Sequence, residues 1–261
     1  MKFIVCFAIF VAVASAAVID PRIVGGKEAK PHQFPHMISL QWMDKAEPTH
    51  FCGGALLNEN YVLTAGHCAH ALTQGTEVVA GAHSILHSNK NEQRRTVKNV
   101  YIHKDYSGDV GPHDIALIKV DKPFKLNEYV KVLNLPTAPK YPTGQATISG
   151  WGSISNTNTP NYPDTLRWAD LPVLDEKKCH TGFSGAPIDK TNLCAGDLNG
   201  SKAICSGDSG SSLFQKDSQG KSVVYGVVSW GWIPCGQPGK TGIFVNVSHY
   251  LQWIQNHLNK N

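Results

Sequence analysis

Charge is scarce in this sequence. Asp, Glu, Lys and Arg make up 17% of its 261 residues, and the 24 basic and 20 acidic side chains are interspersed, leaving a net charge of +4. No basic block is dense enough to grip a phosphate backbone. Arg94-Arg95 reads as a short, solvated surface pair, so nucleic acid is not an expected partner. Long hydrophobic runs are missing too. The apolar stretch from Phe3 to Val13 is too short to span a bilayer, has no stop-transfer flank and is not followed by a second, so no membrane partner is expected. Repeats, heptads and low-complexity tracts are absent, which excludes solenoids and coiled coils. Cys-x-x-Cys and paired Cys/His spacings are absent as well, and no metal or other cofactor is expected.

What is present points to a secreted globule. Hydrophobic residues reach 41%, a folded rather than a disordered composition. Lys2, the apolar run and the small residues Ala14-Ser15-Ala16 form a signal-peptide pattern over residues 1–16. The mature chain is then expected in an extracellular, oxidising compartment. Cysteine usage agrees: of seven cysteines, Cys6 lies in the leader, which leaves an even set. Spacing alone leaves fifteen pairings of that set open.

Past residue 22, short β-rich runs alternate with turn residues. Met37 to Gln41, Phe51 to Leu57, Tyr61 to Thr64, Glu77 to Ala80, Ile115 to Val120, Ala146 to Ser149 and Val223 to Trp230 read as strands. With 24 Gly and 15 Pro punctuating the gaps, the pattern predicts an all-β sandwich or barrel. One helix is expected at the end, where Val247, Leu251, Ile254 and Leu258 recur at helical spacing and Ser248 stands as a possible cap.

Three strings carry the chemistry: Thr64-Ala65-Gly66-His67-Cys68, His113-Asp114-Ile115-Ala116-Leu117 and Gly207-Asp208-Ser209-Gly210. A serine hydroxyl is a weak nucleophile at neutral pH and needs a histidine to take its proton and a carboxylate to orient that histidine. In these residues the chain resembles the chymotrypsin/trypsin-fold serine endopeptidases, over nearly all of residues 23–261. The resemblance implies two antiparallel six-stranded β-barrels with the active site between them, a boundary near Leu135-Pro136 and a C-terminal α-helix. It implies the disulfides Cys52–Cys68, Cys179–Cys194 and Cys205–Cys235. His67 becomes the general base, Asp114 its orienting carboxylate and Ser209 the nucleophile, with the N–H groups of Gly207 and Ser209 as oxyanion hole.

Asp20-Pro21-Arg22 before Ile23-Val24-Gly25-Gly26 resembles the family's processing site. Residues 17–22 would be the propeptide, and cleavage after Arg22 by an activating protease would free the Ile23 ammonium to pair with Asp208. The specificity pocket would be formed by Ala203, Ile204, Ser229, Trp230, Gly231 and Gly242. A trypsin-like pocket would carry aspartate at the Ala203 position, so a preference for large apolar residues (Phe, Tyr, Leu, Met) is expected, with Ile204 shifting it toward Leu or Met. A preference for smaller apolar residues and an inactive, protease-like binding protein are the rival readings. Gly111 is placed near the neighbouring subsite. Polypeptide substrates and protein protease inhibitors are the expected partners, and a monomer is expected.

The pattern is broken in places. Ser211-Ser212 stands where the family usually has Gly-Pro, and a positive φ at Ser211 would strain the turn. Gly66 replaces the usual alanine. Glu92 is the only carboxylate between Gly81 and Gln93, too few for the calcium loop of some relatives. Asn199-Gly200-Ser201 and Asn246-Val247-Ser248 fit the N-glycosylation pattern, with Asn199 the better candidate.

Overall fold

Short strands rich in Val, Ile and Leu need a second apolar surface to cover them, and this chain supplies it by curling its sheets. The computed structural model describes residues 24–43, 47–109 and 111–259. The leader, the propeptide, Arg22 and Ile23 lie outside the described residues.

In chain order the strands are β1 (Lys27–Glu28), β2 (Met37–Trp42), β3 (Thr49–Asn58), β4 (Tyr61–Thr64), β5 (Glu77–Ala80), β6 (Gln93–Ile102), β7 (Ala116–Val120), β8 (Gln145–Gly150), β9 (Arg167–Pro172), β10 (Asn192–Ala195), β11 (Ser212–Lys216), β12 (Ser222–Trp230) and β13 (Gly242–Asn246). The helices are α1 (Gly66–His70), α2 (Glu176–Thr181) and α3 (Leu251–Leu258). The first six-stranded sheet closes as a barrel in the order β2-β3-β4-β7-β6-β5. The second runs β1-β9-β8-β11-β12-β13-β10 and has seven strands, because the two-residue β1 adds an edge to β9. An isolated bridge from Val173 to Ala195 brings the ends of β9 and β10 together. All pairings between these strands are antiparallel.

Inward residues such as Ile38, Leu40, Val78 and Leu117 fill the first barrel, and Ile148, Leu171, Leu213 and Phe244 fill the second. At roughly 25 cal/mol per Å² of apolar surface, each such side chain contributes about 1.5–3 kcal/mol on burial. The first cluster continues into Val224, Val227 and Val245 of the second sheet and into Leu251 and Ile254 of α3, so the helix covers a seam shared by both halves. Val247 belongs to a 3-10 turn, Val247–Tyr250, that precedes α3. The Asn246 side chain, not Ser248, caps that turn by accepting from the Ser248 N–H at 3.2 Å. The Ser248 hydroxyl instead donates to the Lys140 carbonyl at 2.7 Å.

The disulfides join Cys52 to Cys68, Cys179 to Cys194 and Cys205 to Cys235. Arg94 is not the solvated residue its dipeptide suggested. Its guanidinium lies between Glu77 (2.7 Å) and Glu92 (3.1 Å), while Arg95 sits 5.0 Å over the Phe124 ring. Asn246 is buried, whereas Asn199 is exposed.

Candidate active site

The turn that carries Ser209 exists because glycine surrounds it. Gly210 has φ +78°, and a Cβ there would collide with Thr64 Oγ1 and the Gly53 carbonyl. The turn is sewn to both halves of the molecule: Gly53 N–H donates to the Ser209 carbonyl at 2.7 Å, and Gly210 N–H to the Val228 carbonyl at 2.9 Å. Ser209 is thereby held at the junction of β3 and β12. Gly207, whose N–H and that of Ser209 are the expected donor pair, also has positive φ, +94°. Among the described residues neither of these donors is engaged, as a pair awaiting an oxyanion requires.

His67 comes from α1 and Asp114 from the turn entering β7. The two meet through two bonds: His67 Nδ1 to Asp114 Oδ2 at 2.7 Å, and His67 N–H to Asp114 Oδ1 at 2.8 Å. Asp114 is 1% exposed. A carboxylate so far from water needs every available donor. A third comes from the Ser229 hydroxyl, 2.6 Å from Oδ2. Sequence reasoning gave Ser229 to the substrate; the residue does line the cleft, and its hydroxyl is bonded to Asp114. Gly66 has a purpose as well, since a Cβ there would press on Tyr106 and Asp114 Oδ1 at about 3 Å. The residue before Asp114, His113, sits at φ 64°, a strained conformation for a non-glycine.

His67 and Ser209 line one cleft of about 350 Å³. Among the described residues no hydrogen bond joins Ser209 Oγ to His67 Nε2, as is common before substrate tightens a catalytic pair. Ile204, Ser229, Trp230 and Gly231 share the cleft. Ala203 and Gly242 do not; they line a space of only about 10 Å³ behind Ile204. A Cβ on Gly242 would stand 2.7 Å from Ile204 Cγ1, so the room left by this glycine is filled by Ile204 and not left open. Gly111 is not among the residues lining the cleft; a Cβ there would stand 3.6 Å from Pro187 Cβ.

Asp208 is fully buried and accepts from the N–H groups of Gly152 (2.9 Å) and Cys205 (3.0 Å). Burial still pushes its carboxyl up to about 7, the two donors only partly opposing it. The Val24 carbonyl accepts a hydrogen bond from Ala203 N–H at 3.2 Å, which anchors the start of the described chain beside Ala203. Ser211 is not at positive φ. It is fully buried where a Cβ on Gly53 would collide with its hydroxyl, and among the described residues that hydroxyl has no hydrogen-bond partner.

His50 carried no signal in the sequence. One ring nitrogen bonds Ser39 Oγ at 2.8 Å and the other bonds the Gly207 carbonyl at 3.0 Å. Since Gly207 O is the other end of the peptide beside Asp208, His50 fixes the plane that the nucleophile turn needs. Burial lowers its pKa to about 4, which keeps it neutral.

A two-barrel body that holds an imidazole, a buried carboxylate and a serine around one cleft places this chain among the serine-type hydrolases. Comparison with known proteins narrows the class. The trypsin family model matches residues 23–254. Lectizyme of Glossina austeni is 36% identical over 99% of this chain and 97% of its own length. Trypsin-3 of Salmo salar is 36% identical over 96% of this chain and its full length, and serine protease 1 of Homo sapiens 36% over 97% and 96%. The chain therefore belongs to the trypsin family and is a serine-type endopeptidase, acting on polypeptides.

Proposed function

We propose that this protein is a secreted endopeptidase, made as a zymogen, that cleaves after apolar side chains through an acyl-enzyme. Ser209 Oγ attacks the scissile carbonyl while His67 Nε2 takes its proton and later hands it to the leaving amine. Asp114 keeps Nδ1 protonated and stabilises the imidazolium as it forms. The free N–H groups of Gly207 and Ser209 bind the oxyanion, each worth roughly 3–4 kcal/mol of barrier in comparable sites. The carrying observation is the pair of bonds from His67 to a buried Asp114 beside a serine turn with two idle donors. The signal pattern, the disulfides and the lack, among the described residues, of any helix long and apolar enough to cross a membrane support secretion.

Activation follows from Asp208. A buried carboxylate without a cation is costly, and cleavage after Arg22 would create an ammonium at Ile23 to compensate it. Specificity follows from Ile204. No carboxylate stands at the floor, where Ala203 lies behind Ile204; Asp109, which also lines the cleft, belongs to the segment between β6 and β7, and Ile204 makes the floor shallow and apolar. Leu and Met fit such a floor better than Phe or Tyr, and the shallowness is also what favours the rival preference for smaller side chains. The test is to cleave after Arg22, confirm Ile23 as the new terminus, and measure hydrolysis of peptides with Phe, Leu, Ala and Lys before the scissile bond. Apolar residues are expected to lead. Rapid Lys cleavage would overturn the pocket assignment, and no turnover on any peptide would return the protein to a binding role.

A further inference from the structure

Two imidazoles and a carboxylate meet where the segment between β6 and β7 folds against the C-terminal turn and helix. His103 and Asp105 follow β6, and His113 immediately precedes Asp114. One ligand atom from each of the three lies within 4.8 Å of the other two. The His103 and His113 rings stack almost parallel, 9° apart with centroids 5.1 Å from one another. Neighbours hold both rings. The Tyr250 hydroxyl bonds His113 Nδ1 at 2.9 Å, and Trp253 packs against His103 with centroids 5.4 Å apart. A hydrogen-bond partner on the second ring nitrogen, as Tyr250 gives His113, is a feature of metal-ligating histidines.

We infer that His103, Asp105 and His113 bind a divalent cation of the zinc class, and that its binding slows peptide hydrolysis by restraining the turn that presents Asp114. The donor set selects the ion: two imidazoles and one carboxylate suit Zn²⁺, whereas Ca²⁺ and Mg²⁺ require mostly oxygen. Zn–N and Zn–O distances of about 2.0–2.2 Å bring tetrahedral donors to roughly 3.4 Å from each other. The three groups must therefore draw in by about 1 Å. Asp105, whose side chain is 47% exposed, is free to supply most of that movement. Water would complete the tetrahedron. Two contacts oppose binding: the Asp105 N–H donates to His103 Nδ1 at 3.3 Å, a long bond, and Lys104 Nζ holds the Asp105 carboxylate at 2.8 and 3.1 Å, but Lys104 is 84% exposed and free to swing away.

The coupling is covalent and short. His113 is at φ 64°, its carbonyl accepts from Ile115 N–H at 2.8 Å, and Asp114 lies between them. A ring pinned by a metal fixes one end of this three-residue turn. The coupling half of the inference rests on reading Asp114 as the carboxylate that orients His67; the binding half does not.

Titration calorimetry with ZnCl₂ on the uncleaved chain tests the binding directly, without requiring turnover. One Zn²⁺ per chain is expected, weakened at least about tenfold by His103→Gln or Asp105→Asn. Lys104→Ala, at a solvated position, should tighten it several-fold, and Ca²⁺ should not compete. On the cleaved enzyme Zn²⁺ should lower kcat, EDTA should restore it, and His103→Gln should keep its metal-free rate while losing the zinc response. Absence of saturable binding below about 1 mM, or binding indifferent to His103→Gln and Asp105→Asn, overturns the site. Binding that leaves kcat unchanged overturns the coupling. Inhibition that persists in His103→Gln also does so, because it places the metal on His67 instead. Failure of the peptidase reading would show separately, as no metal-free turnover.

Discussion

The carboxyl of Asp208 should make the uncleaved chain lose stability as pH rises, and the size of the loss follows from its burial. Its pKa is 3.8 as an ordinary side chain and about 7 in the fold. The native state thus holds this proton more tightly than the unfolded state does. Between those two values it binds more protons, so unfolding becomes easier with increasing pH. The contribution is fully present below the unfolded value and is lost as pH climbs through the folded one. At about 1.4 kcal/mol per unit, the gap amounts to roughly 4 kcal/mol. Other groups titrate over the same range, so a difference measurement is needed. On an Arg22→Gln background, which blocks processing, urea unfolding of the parent and of Asp208→Asn would be followed from about pH 4 to pH 8. The variant loses an acceptor for Gly152 or Cys205, a constant offset at every pH. The stability of the parent minus that of the variant should fall by roughly 4 kcal/mol across the range. After cleavage of Arg22-Ile23 in the native background, an ammonium partner should lower the Asp208 pKa and remove this slope. A flat difference in the uncleaved chain would refute the claim that burial without a cation dominates at this site.

Ser229→Ala removes the donor 2.6 Å from Asp114 Oδ2. Hydrogen bonds to charged groups are worth about 1.5–3 kcal/mol, so kcat should fall roughly 10- to 100-fold with KM little changed; an unaltered kcat would deny the hydroxyl this role. Ile204→Gly opens the space before Ala203 and Gly242, and kcat/KM for Phe relative to Leu should rise at least about tenfold in steady-state assays. His36 is 4% exposed, its Nε2 has no hydrogen-bond partner among the described residues, and burial lowers its pKa to about 4. Its stabilisation is therefore present above pH 6.5 and lost as pH falls toward about 4, so His36→Leu should flatten acid unfolding by up to about 3 kcal/mol over that window.

Strands with an apolar face were legible from alternation, and all seven segments read in this way coincide with strands. Those missed have physical reasons. β6 runs Gln-Arg-Arg-Thr-Val-Lys-Asn-Val-Tyr-Ile, mostly half-exposed or exposed, and is held as a strand by its pairing with β5 and β7 rather than by its own composition. β10 opens on Asn192, β13 runs from Gly242 to Asn246 and β11 ends in Gln-Lys, residue types depleted in strands or neutral to them, so composition did not mark these three. At the C-terminus the apolar spacing located the helix, but its first turn is 3-10 and its cap lies two residues earlier than Ser248, a boundary error of the ordinary kind.

The site divides along the same line. His67, Asp114 and Ser209 could be read because tight turns dictate the residues around them: at Gly210 any side chain would meet Thr64 Oγ1 and the Gly53 carbonyl, so the local string is constrained by backbone alone. The groups that support those residues have no such constraint. Ser229 reaches Asp114 across 115 positions, and His50 reaches Gly207 across 157. Each is a common residue in an unremarkable strand, selected only by what the fold brings opposite it. Ile204 shows the same limit for shape. Its identity was visible, yet its effect on the pocket depends on lying over Gly242, thirty-eight places away, where the absence of one Cβ makes room for the chain that closes the floor. Local strings thus point to the atoms proposed to react, while long-range packing decides how strongly the carboxylate is held and how deep the cleft runs, and it is there that mutations should tune this enzyme without abolishing it.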